Sequence, residues 1–169
     1  RERMAHTIPA DAPTMLSVQG ASTLRFPSAQ VDLDVKAGEI VGVAGLVGSG
    51  RSELARALFG VDRFAKEPML KVDGKEVRLR SSQDAISAGI YLVPEDRRGA
   101  GITVAFSVKQ NVSMPALKAL SKGLSVDRTR EAQYATQAVE RLGVKTATIE
   151  TQVGTLSGGN QQKVVIGRW

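Results

Sequence analysis

Cysteine is absent from this 169-residue sequence, which therefore carries neither a disulfide framework nor a thiolate metal site. The absence fits a reducing compartment. The chain has a single histidine, His6, in a polar terminal stretch where we expect it to be solvated rather than bound to a metal. The longest strongly apolar run, "IVGVAGLVG", is far shorter than the roughly 20 residues that a membrane-spanning helix needs.

Aromatic residues make up only 4% of the chain, although its formal net charge is +6. A basic chain can bind nucleic acid, an acidic membrane surface or anionic small molecules. Proteins that bind nucleic acid commonly stack bases on aromatic side chains placed among basic residues, and no such interleaving occurs here. We therefore expect no nucleic-acid partner. With 42% apolar and 24% charged residues, the sequence is typical of one globular domain with a sizeable core.

The first 14 residues are polar, contain two prolines and show no periodicity, which is typical of a linker or a disordered N-terminus. The chain begins with Arg rather than Met, and no leader peptide opens it. We therefore expect it to be cut from a longer protein.

Several short runs after this stretch have the patterns of strands. "MLSVQ" and "VDLDV" alternate apolar and polar residues, as half-buried strands do. "MLKVDGKEVRL" is two such runs joined by Asp73-Gly74, the strongest short signal for a hairpin. "EIVGVAG" and "IYLVP" are continuous apolar runs, which are typical of parallel strands covered on both faces.

Helical patterns lie between and after these strands. "SELARALFG" has one apolar face and ends at Gly60, and "SQDAISA" is predicted to be a short helix capped by Ser82 and ended by Gly89. "SVKQNV" is also helical, and a longer helix begins after its cap Asp127 and ends at Gly143. This order of strands, hairpin and helices predicts an α/β protein with a largely parallel core.

The stretch "GLVGSGRSE", residues 45–53, has the glycine spacing of a phosphate-binding loop, G-x-x-x-x-G-K-[ST], but Arg51 replaces the lysine. Its glycines allow a tight turn whose N–H groups form an anion nest at the start of a helix. Ser52 keeps the hydroxyl that holds Mg²⁺ in such loops. The alternative interpretation is a strand-to-helix turn that merely favours glycine. No G-x-G-x-x-G register of a dinucleotide site fits the run.

A second motif, "LSGGNQQ", occupies residues 156–162. It places Ser157 and two glycines directly before an apolar helix that we expect to begin near Asn160. Bare backbone amides and a serine hydroxyl at a helix N-terminus form a ready site for a phosphate. In isolation the same residues would also suit an ordinary capped helix.

Together the two motifs resemble those of the ATP-binding subunits of ABC transporters, whose family signature is LSGGQ. "GEIVGVAGLVGSGRSELARALFG", "YLVPEDRRGAGI" and "VGTLSGGNQQKVVIGRW" are similar to the second of two nucleotide-binding domains in ribose- and galactoside-type sugar importers. The resemblance extends from about residue 15 to the end of the chain.

The resemblance implies an α/β fold of the P-loop NTPase (ABC ATPase) type, with an antiparallel β subdomain and a helical signature subdomain, incomplete at the C-terminus. It implies a partial nucleotide-binding domain at 15–169, with a P-loop core at 15–100 and a helical subdomain at about 101–160. ATP and Mg²⁺ are the implied cofactors, with Ser52 as the Mg²⁺ ligand. The implied ATP-binding residues are Gly45, Leu46, Val47, Gly48, Ser49, Gly50, Arg51, Ser52, Glu53, Ser157, Gly158, Gly159 and Asn160.

Two departures from the family pattern bear on mechanism. Arg51 stands in the lysine position, and Glu95 stands where most relatives carry the Q-loop glutamine that helps to position Mg²⁺ and water. Because arginine is planar and longer than lysine, we interpret the loop as a degenerate site that binds weakly and hydrolyses slowly or not at all. The signature is intact, and in this family it completes the ATP site of the opposite domain. Ser157, Gly158 and Gly159 are therefore expected to contact a γ-phosphate held by the first domain.

The catalytic carboxylate and the switch histidine of the family come after the position of Trp169. We therefore expect no catalytic residue in this chain, no turnover by the chain alone, and self-association where a family core strand is missing. Phe26 is the nearby candidate for stacking on adenine, with ordinary core packing as its alternative. The Arg97–Arg98 pair could meet an acidic partner, although a solvated surface pair is the simpler interpretation.

The function implied by the resemblance is to energise monosaccharide import. The implied partners are the first nucleotide-binding domain of the same subunit, the transmembrane permease subunits and, indirectly, a periplasmic sugar-binding protein. The implied location is peripheral, on the cytoplasmic face of the bacterial inner membrane. The alternative is a non-transport ABC ATPase that acts on ribosomes or DNA, and a dinucleotide-binding oxidoreductase is a third, weaker alternative.

Overall fold

Two long strands, β1 (Thr14–Thr23) and β2 (Phe26–Lys36), are the first regular elements in a computed structural model that describes residues 8–123 and 125–169. They pair in antiparallel fashion, with Val18 opposite Leu33. The predicted strands "MLSVQ" and "VDLDV" lie within them and are confirmed. Residues 1–7 of the predicted terminal linker, including His6, lie outside the described residues.

Three short strands complete this antiparallel sheet: β3 (Phe64–Lys66), β4 (Met69–Val72) and β5 (Lys75–Glu76). The strand order is β2-β1-β4-β5, and β3 also pairs with β1. Asp73 and Gly74 turn the chain between β4 and β5 with φ values of 49° and 72°, as a two-residue hairpin turn requires. The predicted hairpin is confirmed.

Helices α1 (Arg51–Leu58) and α2 (Ser82–Ser87) accompany this sheet in a unit that extends to Leu92. The predicted cap of α2 was wrong by one residue, because Ser81 has the extended backbone of a cap and its hydroxyl accepts a hydrogen bond from the Asp84 N–H at 3.2 Å. The buried core of the unit consists of Val18, Ala21, Phe59, Leu70, Leu79 and Ala85.

The two predicted parallel strands are not present in the described residues. Neither the segment 39–45 nor the segment 90–94 is a strand, and every pairing between the named strands is antiparallel. A continuous apolar run is stable as a parallel strand only when other elements cover both of its faces. Ile40 is instead 90% exposed and Tyr91 is 50% exposed. The prediction of a largely parallel core is therefore wrong for this part of the chain.

A second unit, from Val93 to Trp169, is mainly helical. Its elements are α3 (Val108–Ser113), α4 (Leu117–Leu120), β6 (Ser121–Lys122), β7 (Ser125–Val126), α5 (Arg128–Leu142) and α6 (Gly158–Gly167). Its buried core consists of Ile102, Val108, Val112, Val144, Val153, Val164 and Val165. Within residues 8–123 and 125–169, no helix is long and apolar enough to cross a bilayer.

The caps of α5 follow from the sequence as predicted. The Asp127 carboxylate accepts hydrogen bonds from the N–H groups of Thr129 and Arg130, both at 3.1 Å, and Gly143 ends the helix with a φ of 58°. A hydrogen bond from Lys122 and those backbone N–H groups lower the pKa of Asp127 below its ordinary value. The predicted start and end of this helix are confirmed.

Replacement of Gly60 by alanine should destabilise the protein by about 3 kcal/mol, which chemical denaturation can measure. Gly60 has a φ of 73°, and a Cβ there would lie 2.5 Å from the backbone carbonyl oxygen of Ser81. Gly89 is the matched control, because it has a φ of 82° but open space around its Cβ position. Gly89→Ala should cost about 1 kcal/mol from backbone strain alone, and equal losses would contradict the steric explanation.

Candidate functional site

The predicted phosphate loop is a glycine turn that leads directly into α1. Gly48 and Gly50 have φ values of 81° and 92°, and Gly50 is the residue that caps α1. The Ser49 N–H donates to the Leu46 carbonyl at 3.1 Å, which closes the turn. The loop therefore precedes a helix N-terminus, where unpaired N–H groups and the helix dipole favour an anion.

Gly50 is required by a close approach as well as by its backbone angle. A Cβ at this position would lie 2.8 Å from the Cδ2 atom of Phe26. The Phe26 ring thus packs against the backbone of the loop and supports it. This contact supports ordinary packing for Phe26 rather than stacking on adenine, since the ring lies against the loop backbone.

Arg51 and Ser52 occupy the first two positions of α1, and both are exposed. The Nη2 atom of Arg51 lies 3.5 Å from the Leu46 carbonyl oxygen, so its guanidinium is directed back at the loop. Phosphate loops usually carry lysine in this position, and a planar guanidinium is not geometrically equivalent to a compact ammonium. Ser52, the predicted Mg²⁺ ligand, lies at the exposed start of the helix.

Arg25 is a member of this site that the sequence did not indicate. Its Nη1 atom donates to the Glu53 carboxylate at 2.8 Å, and its guanidinium carbon lies 5.5 Å from the centre of the Phe26 ring. The pKa of Glu53 is lowered by its own backbone N–H and then by Arg25. The pairing neutralises the one carboxylate in the first turn of α1, which favours an anion there.

Ser157 of the signature occupies the N-cap position of α6, but its hydroxyl accepts no hydrogen bond from the backbone N–H groups of that helix. α6 begins at Gly158, so the predicted start near Asn160 was wrong, because the two glycines adopt helical angles rather than preceding the helix. The Asn160 amide donates to the Ser157 hydroxyl at 3.0 Å, and its oxygen accepts from the Lys145 N–H at 2.8 Å. Asn160 therefore orients Ser157 and ties it to the chain before α6.

The first turn of α6 is open on one side and anchored on the other. A Cβ at Gly159 would meet nothing within 4 Å, whereas the carbonyl oxygen of Gly158 accepts a hydrogen bond from Arg97. Gln161 is only 2% exposed, and its amide donates to the carbonyls of Leu156 and Val153 at 3.0 and 3.3 Å. Sequence reasoning missed this anchoring role of Gln161, although its place directly after the signature was a usable signal.

Glu95, which the sequence places in the predicted Q-loop position, is exposed, and it precedes a tight π-helical turn, Arg97–Gly101. The Asp96 carboxylate caps this turn by accepting from the Gly99 N–H at 2.9 Å. Arg98 is exposed, as expected, but Arg97 is half-buried and bonded to Gly158. The interpretation of a merely solvated arginine pair is thus wrong for Arg97, since its guanidinium has a partner far along the chain.

The glycine loop lies in the first unit, and Glu95 and the signature lie in the second. Each forms its own local structure as described above. Within the described ranges 8–123 and 125–169, no group of three or more histidine, cysteine, aspartate or glutamate side chains could hold a metal ion.

A family model described as "ABC transporter" matches residues 28–169. The chain belongs to the ABC transporter family. Residues 28–169 include both the glycine loop and the signature, so the match covers the two candidate phosphate-binding segments. The predicted P-loop NTPase fold of the ABC ATPases, with an antiparallel sheet and helices, is confirmed.

Curated relatives of this ABC transporter domain are ribose import ATP-binding proteins named RbsA. The chain is 48% identical to that of Chelativorans sp. over 80% of its own length, 44% identical to one from Streptomyces avermitilis over 95%, and 40% identical to that of Bacillus subtilis over 99%. These alignments cover 26%, 30% and 34% of the respective relatives. The chain thus spans about a third or less of the length of these relatives.

Solved structures of other ABC transporters share the fold at lower identity. CbiO1 of Clostridium perfringens, part of the transporter complex cbiONQ, aligns with a TM-score of 0.69 and 19% identity, over 92% of this chain and 60% of its own. A bacterial Atm1-family ABC exporter with ATP bound aligns with a TM-score of 0.61 and 22% identity, over 96% of this chain and 29% of its own. At such identities the likeness establishes the fold.

Proposed function

We propose that this chain is part of the second nucleotide-binding domain of a sugar importer, and that its main role is to complete the ATP site of the first domain. The observation that carries the proposal is the contrast between the two phosphate-binding segments. The cation of the loop, Arg51, points back at the Leu46 carbonyl. The signature helix, in contrast, has an open first turn at Gly159.

The loop is suited to weak binding of a nucleotide. Its glycines and the N-terminus of α1 suit phosphates, and Ser52 is placed for Mg²⁺, so ATP and Mg²⁺ fit the residues present. A bound Mg²⁺ would supply charge that offsets that of the phosphates. The guanidinium of Arg51 does not replace the ammonium that follows the transferring phosphoryl group. A degenerate site follows from this arrangement.

The signature is suited to receive a phosphate from another domain. Ser157 is held at the start of α6 by Asn160, and Gly159 leaves its surroundings free of side-chain atoms. The first N–H groups of α6 and the positive end of its dipole favour a γ-phosphate. We propose that Ser157, Gly158 and Gly159 contact ATP held by the loop of the first domain, while Asn160 acts indirectly by orienting Ser157.

The substrate and the partners are proposed from the relatives, which are named ribose import ATP-binding proteins. The sugar is then ribose or a similar monosaccharide. The partners are a first nucleotide-binding domain, permease subunits and, indirectly, a periplasmic sugar-binding protein. The domain would lie on the cytoplasmic face of the membrane, with residues 93–169 forming most of its helical signature part and Glu95 in the Q-loop position.

The identity of the partners distinguishes an importer ATPase from the alternative, a non-transport ABC ATPase. A tagged full-length subunit should co-purify with a permease from mild-detergent extracts, because an importer ATPase docks on its membrane subunits. Sugar uptake should also be lost when the gene is deleted and restored by the intact copy. Co-purification with ribosomal RNA, with sugar uptake unchanged by the deletion, would show that the importer assignment is wrong.

The chain should bind ATP weakly, with a Kd of about 0.1 mM or weaker, and should show no turnover by itself. The reason is that Arg51 leaves the phosphates without the compact cation that lysine supplies. Isothermal titration calorimetry with Mg²⁺-ATP measures the constant, and Arg51→Lys is the informative variant because it should tighten binding. A micromolar Kd in the unmodified chain would contradict the interpretation of a degenerate loop.

A further inference from the structure

The π-helical turn Arg97–Gly101 is bonded to both ends of α6. At its start, the Arg97 guanidinium donates to the carbonyl oxygen of Gly158, the first residue of α6. At its end, the carbonyl oxygen of Gly101 accepts from Arg168, the residue that caps the other end of α6. The turn is therefore held along the length of the signature helix.

Close packing reinforces the bond at the Gly101 end. A Cβ at Gly101 would lie 3.1 Å from the Cγ2 atom of Val165, a fully buried residue of α6. Burial lowers the pKa of Arg168, whose Nε atom has no hydrogen-bond partner among the described residues. This end is thus a buried structural anchor.

The Arg97 end is different in character. Arg97 is only half-buried, and its guanidinium lies at the N-terminus of α6, where the helix dipole disfavours a cation. Such a placement contributes little to folding compared with the buried end. Its direct effect is on the Gly158 peptide, which lies between Ser157, the residue at the N-cap position, and the open position of Gly159.

We propose that Arg97 is a positioning residue for ATP hydrolysis: by holding the Gly158 carbonyl, it fixes the direction in which the first N–H groups of α6 point toward the phosphate. The proposal rests on the proposed function, because the phosphate is the one that the first domain holds. Arg97 acts through the peptide that it orients and needs no contact with the nucleotide. The Gly158 peptide belongs to the helical turn, so a rotation of its carbonyl also redirects the amides beside it.

The test compares Arg97→Gln, Arg97→Lys and Arg98→Gln in the full-length subunit assembled with its permease. Arg97→Gln should lower kcat about tenfold with the KM for ATP within about twofold, because the lost interaction acts in the transition state and not in binding at the first domain's loop. Arg97→Lys should recover kcat to within about threefold of the wild type, since an ammonium can still donate to the carbonyl. Arg98→Gln, which removes an equal charge from the exposed neighbour, should leave both constants unchanged.

The unfolding midpoint of each variant separates positioning from folding. Arg97→Gln should shift it by no more than about 3 °C, and a larger loss of stability, or a kcat equal to that of the wild type, overturns the proposal. Equal losses of kcat in Arg97→Gln and Arg98→Gln would also overturn it, since charge alone would then explain the effect.

Ser157→Arg distinguishes a failure of the role proposed for Arg97 from a failure of the proposed function. If Ser157→Arg abolishes hydrolysis while Arg97→Gln does not lower it, only the role of Arg97 is wrong, whereas full activity in both variants refutes the proposed function.

Discussion

Ser157→Arg in the full-length subunit should lower ATP hydrolysis by about 100-fold or more, which corresponds to about 2.7 kcal/mol of transition-state stabilisation. The added side chain would fill the space at the start of α6 where, in the proposed function, a γ-phosphate docks. Ser157 is exposed, and its hydroxyl makes no capping bond to α6, so the fold should tolerate the change. Steady-state hydrolysis by the complete complex measures the loss, and equilibrium binding should show ATP still held by the first domain.

Arg51→Ala is the matched comparison, because it alters the other candidate phosphate-binding segment in the same chain. It should reduce hydrolysis by less than about threefold, since the guanidinium is directed at the Leu46 carbonyl and the loop is proposed to contribute little to hydrolysis. Equal and severe losses from the two substitutions would mean that both sites share catalysis. The asymmetric role proposed for the two segments would then be wrong.

Asn111→Ala should destabilise the protein by about 3 kcal/mol. Asn111 is fully buried, and its side-chain oxygen accepts from the Thr103 N–H at 2.8 Å. Its amide donates to the carbonyls of Thr103, Ser107 and Phe106 at 3.0, 3.1 and 3.4 Å. Alanine would leave these backbone groups without that partner in a buried position, and it would also leave a cavity.

Urea denaturation of the purified chain measures this change, with Gln133→Ala as the control. Gln133 is exposed on α5, so its replacement should alter the free energy of unfolding by less than about 0.5 kcal/mol. If Asn111→Ala costs less than about 1 kcal/mol, water or a rearranged loop must satisfy the exposed carbonyls. The side chain would then contribute little to the second unit.

The local elements that the sequence predicted correctly are those whose determinants are adjacent in the chain. Asp73-Gly74 specifies a hairpin turn because both residues tolerate a positive φ. Asp127 and Gly143 specify the ends of α5 because a carboxylate can accept from the first N–H groups and glycine can adopt the left-handed angle. The motif spacings at 45–53 and 156–162 led to the family in the same way, since each is a contiguous string.

The predictions that failed depended on what lies beside a segment in space. The runs at 39–45 and 90–94 have the composition of buried strands, but a strand needs neighbours and covered faces, and composition does not supply them. The start of α6 and the cap of α2 differed from prediction by one or two residues, because the backbone angles of serine and glycine near a helix end depend on their hydrogen-bond partners.

By itself, the sequence determined the family, the two candidate phosphate-binding segments and the presence of Arg51 in the position of the usual lysine, because each of these depends on contiguous residues. The tertiary structure alone decided which side chains serve those segments. Arg25 pairs with a carboxylate 28 residues away, and Arg97 bonds to a peptide 61 residues away. An arginine carries the same charge and the same donors wherever it occurs, so its partner is selected only when folding brings a carboxylate or a carbonyl within reach.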